Sequence, residues 1–333
     1  MSLGEFDIIA RYFANRGARR DVLLGIGDDA AVLEVQHDRK LVVAMDTVVD
    51  GVHFPVGTGA ADVGYRALAV NLSDLAAMGA QPAWMTLSLS LPTADERWLE
   101  GFAAGLFEIA DRFGVALVGG DTVKGPLVIT IQVAGWVEPD RWLTRSGAQP
   151  GDLVFVSGIV GEAAAGLAVI QQQLADTSAT TVLRERFLRP EPRVTLGRSL
   201  RTVASAAMDV SDGLLTDLGK LCAASGCGAR VDVDRLPPSA AMAQMFAADI
   251  CVDYALAGGD DYEILFTIAP QYAARVARDL NAICACTQIG VITSQRGVEC
   301  WQGRQLYSVK HTGYDHFSAA VAPGIAPSSV ATQ

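Results

Sequence analysis

Aspartates recur beside glycine-rich turns in this 333-residue chain, and they are the natural starting point for its chemistry. Asp28 and Asp29 follow two glycines in Gly25-Ile-Gly-Asp-Asp29. Asp46 closes the apolar run Leu41 to Met45, and Asp74 interrupts a long Ala/Leu/Val-rich segment. Asp121 follows Gly119-Gly120, and Asp209 and Asp212 flank Val210-Ser211 before Gly213. Side chains alternate along extended backbone, so Asp28 and Asp29 should point to opposite sides, one toward a site and one bracing the loop. The plainer reading of that pair is a solvated Asp-Asp turn. Taken together, these carboxylates exceed what one acid/base pair requires. They suit hard cations with oxygen ligands, of which Mg2+ accepts few carboxylates, keeps waters and bridges to phosphates. Phosphoryl transfer needs mainly positioning and charge neutralisation of this kind.

Other chemistries find less support. Gly25-x-Gly-x-x-Ala30 matches a dinucleotide fingerprint loosely, but two aspartates would repel a bare pyrophosphate. There is no G-x-x-x-x-G-K-[ST] loop and no H-R-D catalytic loop. Ser73 and Ser211 lie near acids but have no histidine nearby in sequence, so a hydrolytic triad is poorly supported. Lys124 and Arg145 are the candidate cations near the motifs; Arg145 either steadies a phosphate tail or braces a polar turn. His53, beside a Gly-rich loop, is either a substrate contact or a structural histidine. Asp74 is either a metal or ligand contact or the partner of Arg66 in an internal salt bridge.

The elements that position these groups can be read from periodicity. The spacing predicts a helix over 6–13, strands over 32–35 and 41–45, and a helix over 62–78 with Asp62 as N-cap. Met85 to Leu91 and Ile129 to Val133 alternate strictly, predicting strands with one apolar and one small polar face, the latter meeting solvent or another subunit. Thr93-Ala-Asp-Glu96 reads as a capping box opening a helix to about Phe113. Val115 to Val118 predicts a short buried strand running into a turn at Gly119-Gly-Asp-Thr122. The polar stretch Arg145 to Asp152 predicts the domain boundary, dividing 1–148 from 149–317, with 318–333 a flexible tail. Strand and helix alternate again in the second half, where Gly258-Gly-Asp-Asp-Tyr-Glu263 leads into a strand over 264–268.

Bulk properties narrow the class. Hydrophobic residues make up 50% and charged residues 19%, as in a folded globular chain of about two domains. A net charge of -11 argues against a nucleic-acid partner. No apolar run reaches the roughly 18 residues of a membrane helix. The start carries Glu5 and Asp7 without a basic segment, unlike a signal peptide, so a cytoplasmic protein is expected. The six cysteines all lie at or after Cys222 and form no C-x-x-C pair, which argues against a disulfide framework or zinc site.

Read in order, the motifs resemble those of the thiamine-monophosphate kinase family, within the superfamily of aminoimidazole ribonucleotide synthetases. They run through Gly4-Glu5-Phe6, Gly25-Ile-Gly-Asp-Asp29, Asp46-Thr47, Gly51-Val-His-Phe54 and Asn71-Leu-Ser-Asp-Leu-Ala-Ala-Met-Gly79. Gly119-Gly-Asp-Thr122, Thr144-Arg-Ser-Gly-Ala148, Asp209-Val-Ser-Asp-Gly-Leu214, Gly258-Gly-Asp-Asp-Tyr-Glu263 and Gly313-Tyr-Asp-His-Phe317 follow. Single motifs of this kind are weak; the ordered set covers nearly the whole chain to about residue 317. The resemblance implies a two-domain α/β fold of α+β type, whose N-terminal mixed sheets join across a homodimer. It implies ATP-dependent phosphorylation of thiamine phosphate to thiamine diphosphate, with several Mg2+ ions. Mapped by motif, Asp28, Asp29, Asp46, Asp74, Asp121, Asp209 and Asp212 would hold metal. Gly120, Asp121, Arg145 and Ser211 would contact ATP, with Asp121, Asp212 and Arg145 central to catalysis. His53, Asp260 and Tyr314 would line the thiamine phosphate pocket. Two departures stand out. Ala44-Met45 replace hydroxyl residues that relatives can carry, leaving the Met45 carbonyl as the metal contact there, and Asp260 stands where a longer Glu can occur. The alternatives are a ribonucleotide cyclo-ligase of the same superfamily and a non-catalytic nucleotide-binding module.

Overall fold

A computed structural model describes residues 4–14, 19–311 and 313–314, without the side chain of Phe6. The chain divides into two compact units, Met1–Trp142 and Leu143–Gln333. The division falls ahead of the polar turn at Arg145. That turn is tied into the second unit by backbone bonds, Ala207 N–H to Thr144 O and Gly151 N–H to Ile292 O. No helix among the described residues is long and apolar enough to cross a membrane.

In the first unit, a helix α1 (Glu5–Ile8) continues as a π-turn over Ile9–Phe13 and buries Tyr12 and Phe13. Strands β1 (Val22–Leu24) and β2 (Val32–Leu33) form a small antiparallel pair. The main sheet contains β3 (Lys40–Val49), β4 (Gln81–Leu91), β5 (Ala116–Lys124) and β6 (Val128–Val137) in the order β3-β6-β4-β5. Only β4 and β5 run parallel. Helices α2 (Ala60–Ala77) and α3 (Glu96–Phe113) cover one face. The alternation read in β4 and β6 fulfils its purpose here: Leu87, Leu89, Ile129, Ile131 and Val133 are at most 4% exposed beneath the helices. On the other face Thr86, Ser88, Thr130 and Gln132 are left at least partly open.

The two helices pack with their backbones almost touching. A Cβ on Gly64 would lie 2.1 Å from Phe102 O, and one on Gly105 would lie 1.8 Å from Ala61 O, so no larger residue fits at either crossing. Helix boundaries differ slightly from the periodicity. Asp62 lies in the first turn of α2, where its charge suits the helix dipole, and Gly59 is the N-cap. Asp95 caps α3, accepting from Arg97 N–H (2.8 Å) and Trp98 N–H (3.2 Å), because it stands directly before the first helical residue.

The second unit carries a seven-stranded sheet ordered β13-β12-β9-β11-β7-β10-β8. Its strands are β7 (Leu153–Ser157), β8 (Ala204–Val210), β9 (Gly228–Asp232), β10 (Glu263–Ile268), β11 (Cys286–Thr293), β12 (Gly297–Gln302) and β13 (Gln305–Leu306). All neighbours are antiparallel except β9 and β12. The helices are α4 (Glu162–Gln171), α5 (Ser178–Leu188), α6 (Val194–Leu200), α7 (Leu214–Ser225), α8 (Ala240–Met245) and α9 (Ala248–Ala257). Val154, Val156, Val210, Leu218, Leu265 and Ile289, all fully buried, anchor its core. Residues 315–317 of the last motif, and the tail expected over 318–333, lie outside the described residues.

Candidate active site

The first unit opens a cavity of about 620 Å3 at the β5 edge of its sheet. Gly25 to Ala31 form one wall, and Thr86, Leu87 and Leu117 to Thr122 form another. The Gly-Gly-Asp-Thr segment is part of strand β5, where a turn was expected from the sequence. Pairing with β4 steps from Met85–Leu117 to Thr86–Gly119, so Val118 is a bulge. A bulge re-aims the strand locally and is a common device beside sites. The two glycines after it serve different ends. Gly120 has φ +154°, and a Cβ there would lie 1.9 Å from Leu87 O, so the fold itself demands glycine. Gly119 has an ordinary φ, and a Cβ there would meet nothing within 4 Å. Neither conformation nor packing requires glycine at that position, which lines the cavity. Sequence reasoning did not single it out, because a neighbouring strained glycine gives the same letter.

Asp28, Asp29 and Asp121 line this cavity together, and no basic side chain does so among the described lining residues. Asp28 Oδ1 accepts from Asp29 N–H (2.9 Å), so Asp28 braces the loop. Asp46 lies elsewhere. Register places Asp121 opposite Ser88, and Ser88 opposite Thr130. Thr130 Oγ1 lies 2.8 Å from Thr47 Oγ1, one residue beyond Asp46, so Asp46 falls on the helix-covered face and Asp121 on the open one. Asn71, 1% exposed, accepts the Asp46 N–H through Oδ1 (2.9 Å) and donates to Ala67 O. That bond satisfies an outward-facing amide of the edge strand β3, which makes Asn71 the link between Asp46 and α2. Asp74 is half-buried one turn further along α2. Met45 is 62% exposed on the open face. His53 Nδ1 accepts from Val49 N–H (3.1 Å), which leaves Nε2 as its donor. Among the described residues, no three His, Cys, Asp or Glu side chains already converge closely enough to hold a metal ion.

In the second unit, Ser211-Asp212-Gly213 links β8 to α7. Asp217, 0% exposed, draws this loop around itself. Its Oδ2 accepts from the N–H groups of Ser211 (3.0 Å), Asp212 (3.0 Å) and Gly213 (3.2 Å), and its Oδ1 from Lys220 Nζ (2.8 Å). Burial pushes this carboxyl above its ordinary range while Lys220 pulls it back. Lys220 also bonds Asp212, and these two acids raise the lysine above its ordinary value against the effect of burial. The Ser211 carbonyl accepts from Asp260 N–H (2.8 Å), so both backbone polar groups of Ser211 are engaged. Asp209 is 5% exposed within β8. Tyr314 N–H bonds Asp212 O (2.9 Å) and Gly313 N–H bonds Thr216 Oγ1 (3.2 Å), which lays the last described residues along the same loop. The Arg145 carbonyl accepts from Ser225 Oγ (3.1 Å), while its side chain is exposed. Asp217 and Lys220 escaped the sequence reading. They are ordinary helix letters whose partners become visible only when the loops are in place.

The Gly258–Glu263 segment carries two non-glycine residues in the left-handed region, Asp260 (φ +69°) and Tyr262 (φ +52°). Such conformations cost about 1–3 kcal/mol each and persist only where the surroundings over-determine them. Between them Asp261, 9% exposed, accepts Gly161 N–H (2.6 Å) on Oδ2 and Ala163 N–H (3.2 Å) on Oδ1. Burial raises its carboxyl well above the ordinary range, and the two amides oppose that shift. Tyr262 Oη lies 3.1 Å from Asp260 Oδ1 and donates to it. Glu263, the last letter of the motif, turns into the core and meets Arg193 and Ser157 Oγ (2.5 Å), so its role is structural.

Comparison with known proteins agrees with this architecture. Residues 27–137 match the family described as AIR synthase related protein, N-terminal domain, and residues 149–301 match its C-terminal domain. The thiamine-monophosphate kinase of Salmonella typhimurium is 51% identical over 323 residues, spanning 96% of this chain and 99% of that protein. The crystal structure of thiamine-monophosphate kinase from Stenotrophomonas maltophilia superposes with a TM-score of 0.84 at 48% identity, covering 90% of this chain and 97% of that one. A structure described as AaThiL complexed with AMPPCP and TMP gives a TM-score of 0.76 at 32% identity, covering 88% of this chain and 92% of that one. With both domain families matched in order and near-complete coverage at about half identity, this chain belongs to the thiamine-monophosphate kinase family of AIR synthase related proteins.

Proposed function

We propose that this protein transfers the γ-phosphoryl group of ATP to thiamine phosphate, giving thiamine diphosphate and ADP. The near-full-length identity to thiamine-monophosphate kinases carries this reading. The cavity chemistry supports the assignment of its parts. Its described lining offers three aspartates, glycine backbone and no basic side chain, so a bare polyphosphate would be repelled there. The donors are all oxygen, which fits Mg2+, an ion that takes one or two carboxylates and completes its shell with water and phosphate oxygens. That no three carboxylates converge among the described residues is therefore compatible with such an ion. Asp28, Asp29 and Asp121 are the candidate ligands in the first unit, of which such an ion would take one or two, and Asp46 with the Met45 carbonyl, Asp74, Asp209 and Asp212 are the further candidates. When bound, Mg2+ supplies charge neutralisation of the phosphates.

The residues of the chain then have four tasks. Gly119 leaves room for the nucleotide to approach the β5 backbone at Gly120. Arg145 and Ser211 contact ATP, the latter through its hydroxyl. His53, through Nε2, with Asp260 and Tyr314, holds thiamine phosphate. Asp121 and Asp212 orient the reacting groups. The nucleophile is a phosphate oxygen of the acceptor, and a phosphate monoester has a second pKa of about 6. It is ionised at neutral pH, so direct in-line transfer needs no strong base and no phosphoenzyme. The protein acts as a homodimer. Leu41, Val43 and Met45 are 47%, 51% and 62% exposed on the open face of edge strand β3, an apolar strip that a second copy would cover. The activity is tested by ADP release in the presence of Mg2+. It should depend on added thiamine phosphate, and Asp121→Asn should reduce it at least about 100-fold with the thermal unfolding curve unchanged. Wild-type turnover by that variant would overturn the role given to Asp121; ADP release indifferent to thiamine phosphate would overturn the acceptor.

A further inference from the structure

Asp261 has no assigned task in the reaction, yet it is 9% exposed and both of its oxygens are engaged. Its two carboxylate oxygens each take a backbone amide at the start of α4, from Gly161 and Ala163. The residues on either side of it hold left-handed backbones that side-chain-bearing residues avoid. Asp260 N–H is bonded to Ser211 O and Tyr262 N–H to Val210 O, both at 2.8 Å. A Cβ on the preceding Gly259 would lie 2.5 Å from Ser211 O, so the segment is seated hard against the β8–α7 loop. The Tyr262 hydroxyl then fixes the Asp260 carboxylate at 3.1 Å.

We propose that Asp261 and Tyr262 are positioning residues for the acceptor substrate: Asp261 pins the strained segment to α4, and Tyr262 aims the Asp260 carboxylate. The short Asp at position 260 makes this aim matter more, since a shorter side chain tolerates less displacement. The inference rests on the reading of Asp260 as part of the thiamine phosphate pocket. Two tasks follow from the geometry. Asparagine at 261 offers one acceptor oxygen for two amides and sets an NH2 group against the other, so one anchor is lost. Phenylalanine at 262 keeps the ring and removes the hydroxyl that bonds Asp260.

Steady-state kinetics of Asp260→Ala, Asp261→Asn and Tyr262→Phe, with ATP and thiamine phosphate varied separately, tests this. Asp261→Asn should raise KM for thiamine phosphate about tenfold, the low end of what loss of an outer-shell partner costs at metal sites. Tyr262→Phe should raise it about threefold. KM for ATP should stay within about twofold in both. In the Asp260→Ala background neither change should add a further increase, since both act through that carboxylate. A purely structural role would lower the active fraction or move both KM values together. If Asp260→Ala raises KM for thiamine phosphate while the other two variants leave it unchanged, the positioning role is overturned and the pocket reading stands. If Asp260→Ala itself has no effect, the pocket reading falls and the inference with it. Should Asp261→Asn fail to fold, Tyr262→Phe decides alone, and an unchanged KM for thiamine phosphate overturns the proposal.

Discussion

Replacing Gly119 and Gly120 by alanine, one at a time, separates what the fold needs from what the ligand needs. At Gly120 the new methyl carbon would start 1.9 Å from Leu87 O and 2.8 Å from Leu87 C, where ordinary contact begins near 3.4 Å. Strand β5 would have to move about 1.5 Å away from β4, enough to break ladder hydrogen bonds whose N···O distances tolerate only a few tenths of an ångström. The left-handed backbone adds about 1–2 kcal/mol for a residue with a Cβ, and forced overpacking about 1–3 kcal/mol. A loss of about 2–5 kcal/mol is expected, which lowers Tm by roughly 5–15 °C in a unit of this size. At Gly119 the methyl group meets no protein atom within 4 Å and the backbone is unstrained. There the substitution should leave stability unchanged or raise it by about 0.4–1 kcal/mol through a stiffer unfolded chain. The same methyl group protrudes into the cavity, so KM for ATP should rise about tenfold with Tm held. Thermal unfolding and initial-rate kinetics on both variants measure this. A Gly120→Ala protein with wild-type Tm would refute the close-approach argument. A Gly119→Ala protein with wild-type KM for ATP would refute the placement of the nucleotide along β5.

Two further expectations concern acid stability and assembly. The Arg19 guanidinium bonds both oxygens of Asp21 and holds that carboxyl below its ordinary range, with Trp84 Nε1 contributing at 3.3 Å. A lowered acid pKa gives stability that is full above the ordinary aspartate value of about 4 and is lost as pH falls through the lower folded value. Asp21→Asn should therefore be less stable by about 0.2–1 kcal/mol at pH 7. That gap should narrow as pH falls below the ordinary aspartate value in acid-titrated thermal melts, and a gap that stays constant on acidification would assign the effect to packing. Val43→Glu puts a charge on the apolar strip of β3 without disturbing the buried face. Sedimentation velocity should show monomer for this variant and dimer for the wild type; a dimeric variant, or a monomeric wild type, would place the interface elsewhere or remove it.

Much of the fold could be read from local pattern. The period-two alternation of Met85 to Leu91 and Ile129 to Val133 determined both the strands and which face the helices would cover, because one face had to leave water. Strand boundaries were less legible. Val115 to Val118 is a short apolar run, and Gly119-Gly120 after it carries the usual signal for a turn. Pairing with β4 extends the strand to Lys124, since the backbone groups of those glycines find ladder partners that no local rule anticipates. The same limit governs the acids. Their identity and spacing belong to the sequence, and so does the oxygen-only chemistry that follows from them.

Which acids share a surface was settled by register and packing. Asp46 and Asp121 take opposite faces of one sheet because β3 and β5 meet β6 and β4 in a particular register. Asp217 and Asp261, ordinary letters in sequence, became the supports of their loops because burial left each carboxylate needing donors and each loop needing acceptors. Covalent order determined the family, the elements and the ligand chemistry of this protein. The division of its aspartates into ligand candidates and loop supports was decided by tertiary structure, because a buried charge is defined by the amides around it and those arrive from distant parts of the chain.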